Sequence, residues 1–254
     1  MPEGPECRTI ADELINIIEG KIVQEVVFDE NAKQTGLNLI PKNILVKSVG
    51  AHGKKLIFEL DSGTIVTSLG MNSRWSLSPG KHTHVTLAFN NFNLYYDNVR
   101  FGHLDYYHGP KKTYLLGLGP DVLADVIEEE EWREIFRKTR RQVAVVLLDQ
   151  SKIAGIGNYL RNEILFAAKI NPTRQSNTLD DEELERLREA SHLVIRESYK
   201  YGGLTIESFW SPSGKRGVYP TKVYGRDKDP DGNKVVRLAE KGKQTIWWVP
   251  AVQH

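Results

Sequence analysis

The chain has 254 residues, of which 40% are hydrophobic and 26% charged, with a formal net charge of +1 and a single cysteine, Cys7. This length predicts one or two domains with real hydrophobic cores. One cysteine excludes a disulfide framework and any zinc site built from several cysteines. No apolar run reaches transmembrane length, and the acidic N-terminus is unlike a signal peptide. We therefore expect an intracellular protein, in the nucleus or cytoplasm, without a membrane partner.

The first half of the chain predicts one helix followed by short strands. Apolar residues from Cys7 to Ile18 recur at helical spacing, and Gly20 ends the pattern. Hairpin turns are expected at 61–63 and 90–91. The β-rich runs lie at 22–28, 44–49, 56–60, 64–69, 84–89 and 93–96. Many short strands with turn signals predict a sandwich or barrel.

The second half turns helical and then β-like and basic. We expect a boundary at the acidic residues 128–131, helical segments at 143–148, 159–168 and 184–195, and a basic run at 133–141. The expected domains are 1–128, 129–212 and 213–254. The fold class is α+β: an N-terminal β-sandwich with an N-terminal helix, then a helical domain that ends in a β-hairpin.

The N-terminal sequence Met-Pro-Glu-Gly-Pro-Glu carries the clearest chemistry. Removal of Met1 would expose the secondary amine of Pro2, and an α-amino group has a pKa of roughly 7.7–8.0. A neutral amine of this kind attacks an electrophilic carbon and forms an iminium. Glu3 and Glu6 follow at helical spacing and offer acid–base help. The alternative is that Pro2 and Pro5 stiffen a helix start whose dipole the glutamates balance.

This hexapeptide resembles the start of the formamidopyrimidine-DNA glycosylase/endonuclease VIII family. The resemblance implies that Pro2 is the nucleophile and Glu3 the acid–base catalyst, with help from Glu6. The loop at 51–56, Ala-His-Gly-Lys-Lys-Leu, is similar to a family loop whose lysine aids catalysis and binds phosphate. Lys54 is the matching position.

Two further loops resemble the parts of this family that enter DNA. In the segment 68–75, Met71 matches a methionine that fills the gap left by an extruded base, although a methionine is also a common core filler. In the segment 96–102, Arg100 and Phe101 match a second inserted loop. Val99 stands where the family usually has an arginine that reads the orphaned base, so discrimination of the opposite base is expected to be weak or absent.

The segment 148–165 resembles the helix–two-turn–helix motif of the family, close to its endonuclease VIII-like branch. Its sequence Gly-Ile-Gly-Asn-Tyr-Leu predicts a tight turn with Asn158 as the N-cap of the next helix. Backbone N–H groups at such a turn bind phosphate. The resemblance makes Asn158 a phosphate ligand, and Lys152 is expected to assist.

The C-terminus resembles the family's zincless finger, a hairpin that keeps its shape without metal. We expect strands from 223–226 and 244–248 joined across a turn at 231–233. The family's phosphate-gripping arginine is replaced here by Gln244, with Lys243 beside it. A lysine supplies charge but no bidentate fork. Neither a metal site nor a cofactor is expected, because His82 and His84 have no further ligands at convincing spacing.

Together the resemblances imply a monomeric, bifunctional DNA glycosylase/AP lyase of base excision repair. It would remove oxidised bases, pyrimidines preferred, from double- or single-stranded DNA through a Schiff base on Pro2, and would cut the strand by β,δ-elimination. The alternative is a non-catalytic damaged-DNA-binding protein, because of Val99 and the missing finger arginine. An RNA-associated module is a weaker alternative. The intact Pro2–Glu3 pair favours the enzyme, since a binding protein needs no secondary amine.

Overall fold

The computed structural model describes residues 1–71, 73–109, 115, 117–204, 211–239 and 244–254. The chain divides into two compact units. The first comprises Met1–Leu116 and Gly202–Val218, and the second comprises Gly117–Tyr201 and Tyr219–His254. Within the described ranges, no helix combines the length and the hydropathy that crossing a bilayer would need.

The described residues of the first unit form one α-helix, a short 3₁₀ helix at Leu37–Leu39 and two β-sheets. Helix α1 spans Gly4–Ile18, and the strands are β1 (Ile22–Val23), β2 (Glu25–Phe28), β3 (Gln34–Thr35), β4 (Ile44–His52), β5 (Lys55–Leu60), β6 (Gly63–Ser68), β7 (Arg74–Ser76), β8 (Thr83–Ala88), β9 (Asn93–Asp97) and β10 (His103–His108). One sheet has the order β1-β4-β5-β6-β10-β3 and the other β2-β8-β9-β7. Every pairing is antiparallel except that of β10 with β3.

The two sheets and α1 share one hydrophobic core, which confirms the predicted sandwich with its N-terminal helix. Phe58 of one sheet packs against Trp75 of the other, with ring centroids 5.0 Å apart, and Trp75 packs equally close to Tyr96. The apolar stripe of α1, including Ile10 and Leu14, is buried in the same cluster. Aromatic groups dominate such cores because each buries a large apolar area.

The sequence pattern missed some strands of this sandwich. The run 22–28 is two strands, β1 and β2, which belong to different sheets. Strand β10 was not predicted because its sequence, His-Leu-Asp-Tyr-Tyr-His, is mostly polar. Its alternation is nevertheless that of a half-buried strand, with Leu104 and Tyr106 facing the core.

The second unit contains the helices α2 (Glu129–Arg137), α3 (Val143–Val146), α4 (Asn158–Ala167) and α5 (Asp181–Lys200), followed by the strands β11 (Val236–Leu238) and β12 (Ile246–Trp248). Helix α2 was not predicted, and the acidic residues at 129–131 form its first turn. Trp132 and Phe136 are fully buried on its inner face, with ring centroids 5.1 Å apart. The division into domains at 128 and 212 stays a prediction.

Strands β11 and β12 form an antiparallel hairpin in which Arg237 lies opposite Trp247. We expected residues 223–224 to pair with 246–248, and that prediction was wrong. The backbone N–H groups of Lys222, Val223 and Tyr224 instead donate to the carboxylate of Glu163, at 2.8, 3.0 and 2.8 Å. These donors are therefore not available for a strand ladder.

Candidate active site and nucleic-acid interface

The N-terminus of α1 holds the predicted nucleophile and both predicted carboxylates. Pro2, Glu3 and Glu6 are all buried, and Glu3 is the N-cap residue. Glu6 Oε2 accepts a hydrogen bond from the Glu3 backbone N–H at 2.8 Å, while its Oε1 accepts from the Leu204 N–H at 2.6 Å. Two backbone donors thus hold the Glu6 carboxylate, which in turn fixes the backbone of Glu3.

Gly203 allows the chain to approach Glu6 this closely. Its φ is +89°, and a Cβ atom at this position would lie 2.3 Å from Glu6 Oε1. No other residue type fits there without displacing the carboxylate. The segment that ends at Leu204 is therefore shaped around Glu6.

Lys54 lies in the two-residue loop between β4 and β5, where His52 is opposite Lys55 and Gly53 has a φ of +55°. Burial lowers the pKa of the Lys54 ammonium, and the charges of Glu3, Cys7 and Glu6 oppose that shift. The ammonium of Lys54 thus interacts electrostatically with the carboxylates of both Glu3 and Glu6. Lys54 therefore lies within electrostatic range of Glu3 and Glu6, and Glu3 directly follows Pro2 in the chain.

The two predicted DNA-inserting loops are joined to each other. Met71 N–H donates to the Arg100 carbonyl at 2.8 Å. Gly70, with a φ of +56°, permits this crossing, because a Cβ there would lie 2.4 Å from the Arg100 oxygen. The side chain of Asn98 closes the second loop by accepting from Gly102 N–H at 3.0 Å and donating to Gly102 O at 2.9 Å.

These contacts leave an exposed apolar tip, which consists of Met71, Val99 and Phe101. Their exposed fractions are 36%, 45% and 60%. Phe101 adopts a φ of +62°, which is uncommon for an aromatic residue, and the Arg100 guanidinium lies 4.8 Å from its ring centroid. Met71 is thus not core filler. Large apolar side chains held out on a braced loop suit insertion between bases.

The turn between α3 and α4 in the second unit is organised by Gln150. Its side chain donates to Leu148 O and Ile156 O and accepts from Gly155 N–H. Helix α4 begins at Asn158 with Gly157 as the N-cap residue. The prediction of Asn158 as N-cap was therefore wrong by one residue. Lys152 lies exposed on the same turn.

Arg161 connects Asn158 to the hairpin. Its side chain is buried, and its Nη2 donates to Asn158 Oδ1 at 2.5 Å, to Thr245 O at 3.1 Å and to Gln244 O at 3.5 Å. The side-chain oxygen of Asn158 is therefore already an acceptor for Arg161. The predicted phosphate ligands Asn158 and Gln244 therefore meet at one guanidinium. Lys243 lies outside the described residues.

The sequence reasoning missed Arg161 and its neighbours Asn162 and Glu163. The available signal was three consecutive polar residues in the middle of a short helix whose other residues after Asn158 are apolar or aromatic. All three are buried, with exposed fractions of 2%, 1% and 1%. Burial raises the pKa of the Glu163 carboxyl, and the hydrogen bonds from Tyr224, Lys222 and Val223 oppose that shift.

The basic run at 133–141 is largely neutralised by carboxylates of its own unit. Four of its cations form ion pairs: Arg133 with Glu129, Arg137 with Asp181, Lys138 with Glu134 and Arg141 with Asp149. This run is therefore a weaker phosphate-binding surface than its sequence indicates. Among the described residues, no group of three or more histidine, cysteine or acidic side chains is arranged to hold a metal ion.

Two family models match consecutive parts of this chain. The N-terminal domain model of formamidopyrimidine-DNA glycosylase matches residues 1–104, and the H2TH domain model matches residues 118–209. The formamidopyrimidine-DNA glycosylase of Thermus thermophilus is 33% identical over 260 residues, which cover 96% of each chain. That of Listeria monocytogenes is 29% identical over 96% of this chain and 97% of its own.

Solved structures are similar over nearly the whole chain. The crystal structure of the MutM (Fpg) protein from Thermus thermophilus aligns with a TM-score of 0.92 and 30% identity, covering 99% of this chain and 98% of its own. The Lactococcus lactis Fpg in complex with DNA that contains an abasic site aligns with a TM-score of 0.88 and 25% identity, covering 99% of both. These relatives do not distinguish an endonuclease VIII-like branch.

Proposed function

Because this chain belongs to the formamidopyrimidine-DNA glycosylase family, we propose that it excises oxidised bases, pyrimidines in preference, through a Schiff base on Pro2. The chain is a DNA glycosylase with AP lyase activity in base excision repair, and damaged DNA is its partner. The observation that carries the proposal is the start of α1, where buried Pro2 and Glu3 share one environment with Glu6 and Lys54.

The reaction requires that Met1 be removed. The lone pair of the Pro2 nitrogen then forms a bond to C1′ of the damaged nucleotide, the bond from C1′ to the base breaks, and Glu3 supplies the proton that the leaving base takes. The nitrogen then loses its proton, the C1′–O4′ bond of the sugar ring breaks and O4′ takes up a proton, which leaves an iminium between the nitrogen and C1′. This iminium acidifies the proton on C2′, whose loss expels the 3′ phosphate. A second elimination expels the 5′ phosphate, and hydrolysis returns the free amine.

Lys54 and Glu6 support this chemistry in different ways. Burial lowers the pKa of Lys54, whereas the charges of Glu3 and Glu6 oppose that shift and favour the charged ammonium, which we expect to contact a phosphate of the DNA. Glu6 has both carboxylate oxygens engaged by backbone donors, so we assign it to holding Glu3 in place rather than to moving a proton. This refines the expectation that Glu6 takes part directly in acid–base catalysis.

The apolar tip supports the opposite-base expectation. Val99 offers no hydrogen-bond donor or acceptor on its side chain, so it fills space beside the orphaned base without reading its edge. Arg100 is adjacent, but its guanidinium stacks on Phe101. We therefore propose that excision depends little on the base opposite the lesion.

An excision panel tests this function. Duplexes that differ in one lesion, an oxidised pyrimidine or an oxidised purine, are placed opposite each of the four bases, and the protein's N-terminal mass is measured to establish that Met1 is absent. We expect oxidised pyrimidines to be cut roughly tenfold faster and opposite bases to change the rate less than about threefold. Faster cutting of purine lesions would contradict the pyrimidine preference, and a retained unsaturated 3′ aldehyde would contradict δ-elimination.

Substitutions at the helix–two-turn–helix turn test the phosphate contacts. Lys152→Ala should weaken DNA binding and reduce the slope of log affinity against log salt by about one unit, because one charged contact is lost. Asn158→Ala should weaken binding without changing the slope, since the amide is neutral. Lys138→Ala is the matched control, because its ammonium already pairs with Glu134. A loss with Asn158→Ala that is confined to lesion-containing DNA would point instead to a base contact.

A further inference from the structure

The C-terminal hairpin of β11 and β12 needs interactions beyond its own strands to stay folded. In bacterial members of this family the region normally carries a zinc ion held by four cysteines, but the one cysteine of this chain is Cys7, in α1. The residues of the hairpin therefore do not fit that metal. Strands β11 and β12 form three residue pairs, and an isolated two-stranded hairpin is at best marginally stable in water.

We propose that three consecutive side chains of α4, Arg161, Asn162 and Glu163, take the place of the metal and set the position of the hairpin that carries Gln244. We call them the α4 bracket. Each is buried, and each bonds to backbone groups on the C-terminal segment. The bracket reaches that segment at two places, 222–224 and 244–247, as a metal ion would reach ligands from two loops.

Glu163 makes the contact with residues 222–224. Its Oε2 accepts from Lys222 N–H, and its Oε1 accepts from the N–H groups of Val223 and Tyr224. Hydrogen bonds to an ionised acceptor are stronger than those between neutral groups. One carboxylate therefore fixes three consecutive residues, and the aromatic ring of Tyr224 lies 6.0 Å from that of Trp247 in the hairpin.

Asn162 and Arg161 make the contacts with residues 244–247. Asn162 Oδ1 accepts from Trp247 N–H at 2.9 Å, and its Nδ2 donates to Asn158 O at 2.7 Å. Arg161 donates to the carbonyls of Gln244 and Thr245 and to Asn158 Oδ1. The same two side chains thus hold β12 in place and orient Asn158. Arg161 and Asn162 therefore position both proposed phosphate ligands, Asn158 and Gln244.

Among the described residues, one apolar cluster includes side chains of the hairpin and of α4. The associated core cluster holds the buried residues Val223, Val235 and Val249, with Phe166, Trp247 and Val252 packed against it. Arg237 stacks on the Trp247 ring at 4.6 Å, but its side chain is exposed. Because the apolar cluster is small, the bracket's buried hydrogen bonds carry the positioning.

Hydrogen exchange followed by mass spectrometry tests the bracket in the full-length protein. Glu163→Gln preserves shape but sets an amide N–H₂ against backbone donors. We expect backbone amides at 222–224 and 246–248 to exchange roughly tenfold faster, while those of α5 keep the wild-type rate. Glu183→Gln is the matched control, since its carboxylate also accepts from a backbone N–H and pairs with Arg174, away from the hairpin. Wild-type protection of the hairpin in Glu163→Gln would overturn the proposal.

A second variant and a binding readout separate positioning from misfolding. Asn162→Leu removes the acceptor for Trp247 N–H and should expose 246–248 to exchange. Titration with a duplex that carries a non-cleavable abasic analogue should give each variant a Kd raised roughly tenfold with an unchanged binding stoichiometry. A lowered stoichiometry with wild-type Kd in both variants would mean simple misfolding and would overturn the positioning role.

Chelation completes the test. Exhaustive treatment of the wild-type protein with a chelator should leave both the exchange pattern and the Kd unchanged, whereas loss of hairpin protection on chelation would overturn the metal-free bracket. The exchange result is independent of the proposed chemistry. The two proposals can therefore fail separately. Failure of catalysis by Pro2 would overturn the proposed chemistry alone, and absence of the exchange effect would overturn the bracket alone.

Discussion

Borohydride traps the wild-type protein on an oligonucleotide with an abasic site, and the trapped adduct is lost when the nitrogen of Pro2 is blocked. This is the result we expect, because an iminium between that nitrogen and C1′ is reducible to a stable amine. A preparation that retains Met1 holds the nitrogen in an amide, which has no nucleophilic lone pair, so its trapping should fall by two orders of magnitude or more, roughly the effect of removing a nucleophile.

Two variants locate the nucleophile. Pro2→Gly leaves a primary amine after removal of Met1, and we expect it to trap less than the wild type because the geometry of the ring is lost. Lys54→Ala should still trap, although with reduced rate, because the lysine assists without forming the bond. Should Pro2→Gly trap as well as the wild type while Lys54→Ala abolishes trapping, Lys54 would be the nucleophile. The covalent adduct is separated from free protein and DNA on a denaturing gel and quantified.

The sequence predicts the parts of this molecule whose signals are local. The first six residues place a nucleophile and carboxylates at a helix start, and the structure has α1 begin at Gly4 with Glu3 as its cap. Likewise Gly53 and Lys54 form a hairpin loop between β4 and β5, where His52 pairs with Lys55. Such features depend on neighbours within a few residues, and so short patterns suffice.

The parts that the sequence did not predict depend on partners far along the chain. Glu163 is bonded to residues about sixty positions away, and Arg161 to residues more than eighty away. Nothing near residue 223 indicates that its amide belongs to a carboxylate, so the pattern was interpreted as a strand. Leu204 meets Glu6 across 198 positions. Long-range polar contacts of this kind leave no periodicity in the sequence, in contrast with apolar faces.

Glu3→Gln separates the two halves of the proposed reaction. Excision of an intact lesion requires a proton for the leaving base, and an amide cannot donate it as a carboxylic acid does. We expect the excision rate to fall by about 10²–10⁴-fold, the usual contribution of a positioned acid or base. Cleavage at a pre-formed abasic site should stay within about tenfold of the wild type, since no base remains to be protonated.

The two activities are measured on the same duplex, once with the lesion and once after the base has been removed. Asp12→Asn is the control on α1, because its carboxylate pairs with Arg8 on the surface and lies outside the proposed chemistry. Glu6→Gln adds a second comparison. Its carboxylate holds the backbone of Glu3 and of Leu204, so losing one acceptor disturbs the position of Glu3 and both activities fall together. Excision at the wild-type rate in Glu3→Gln would remove Glu3 from its role. Equal losses of excision and lyase activity in that variant would mean that Glu3, like Glu6, shapes the site rather than donating the proton.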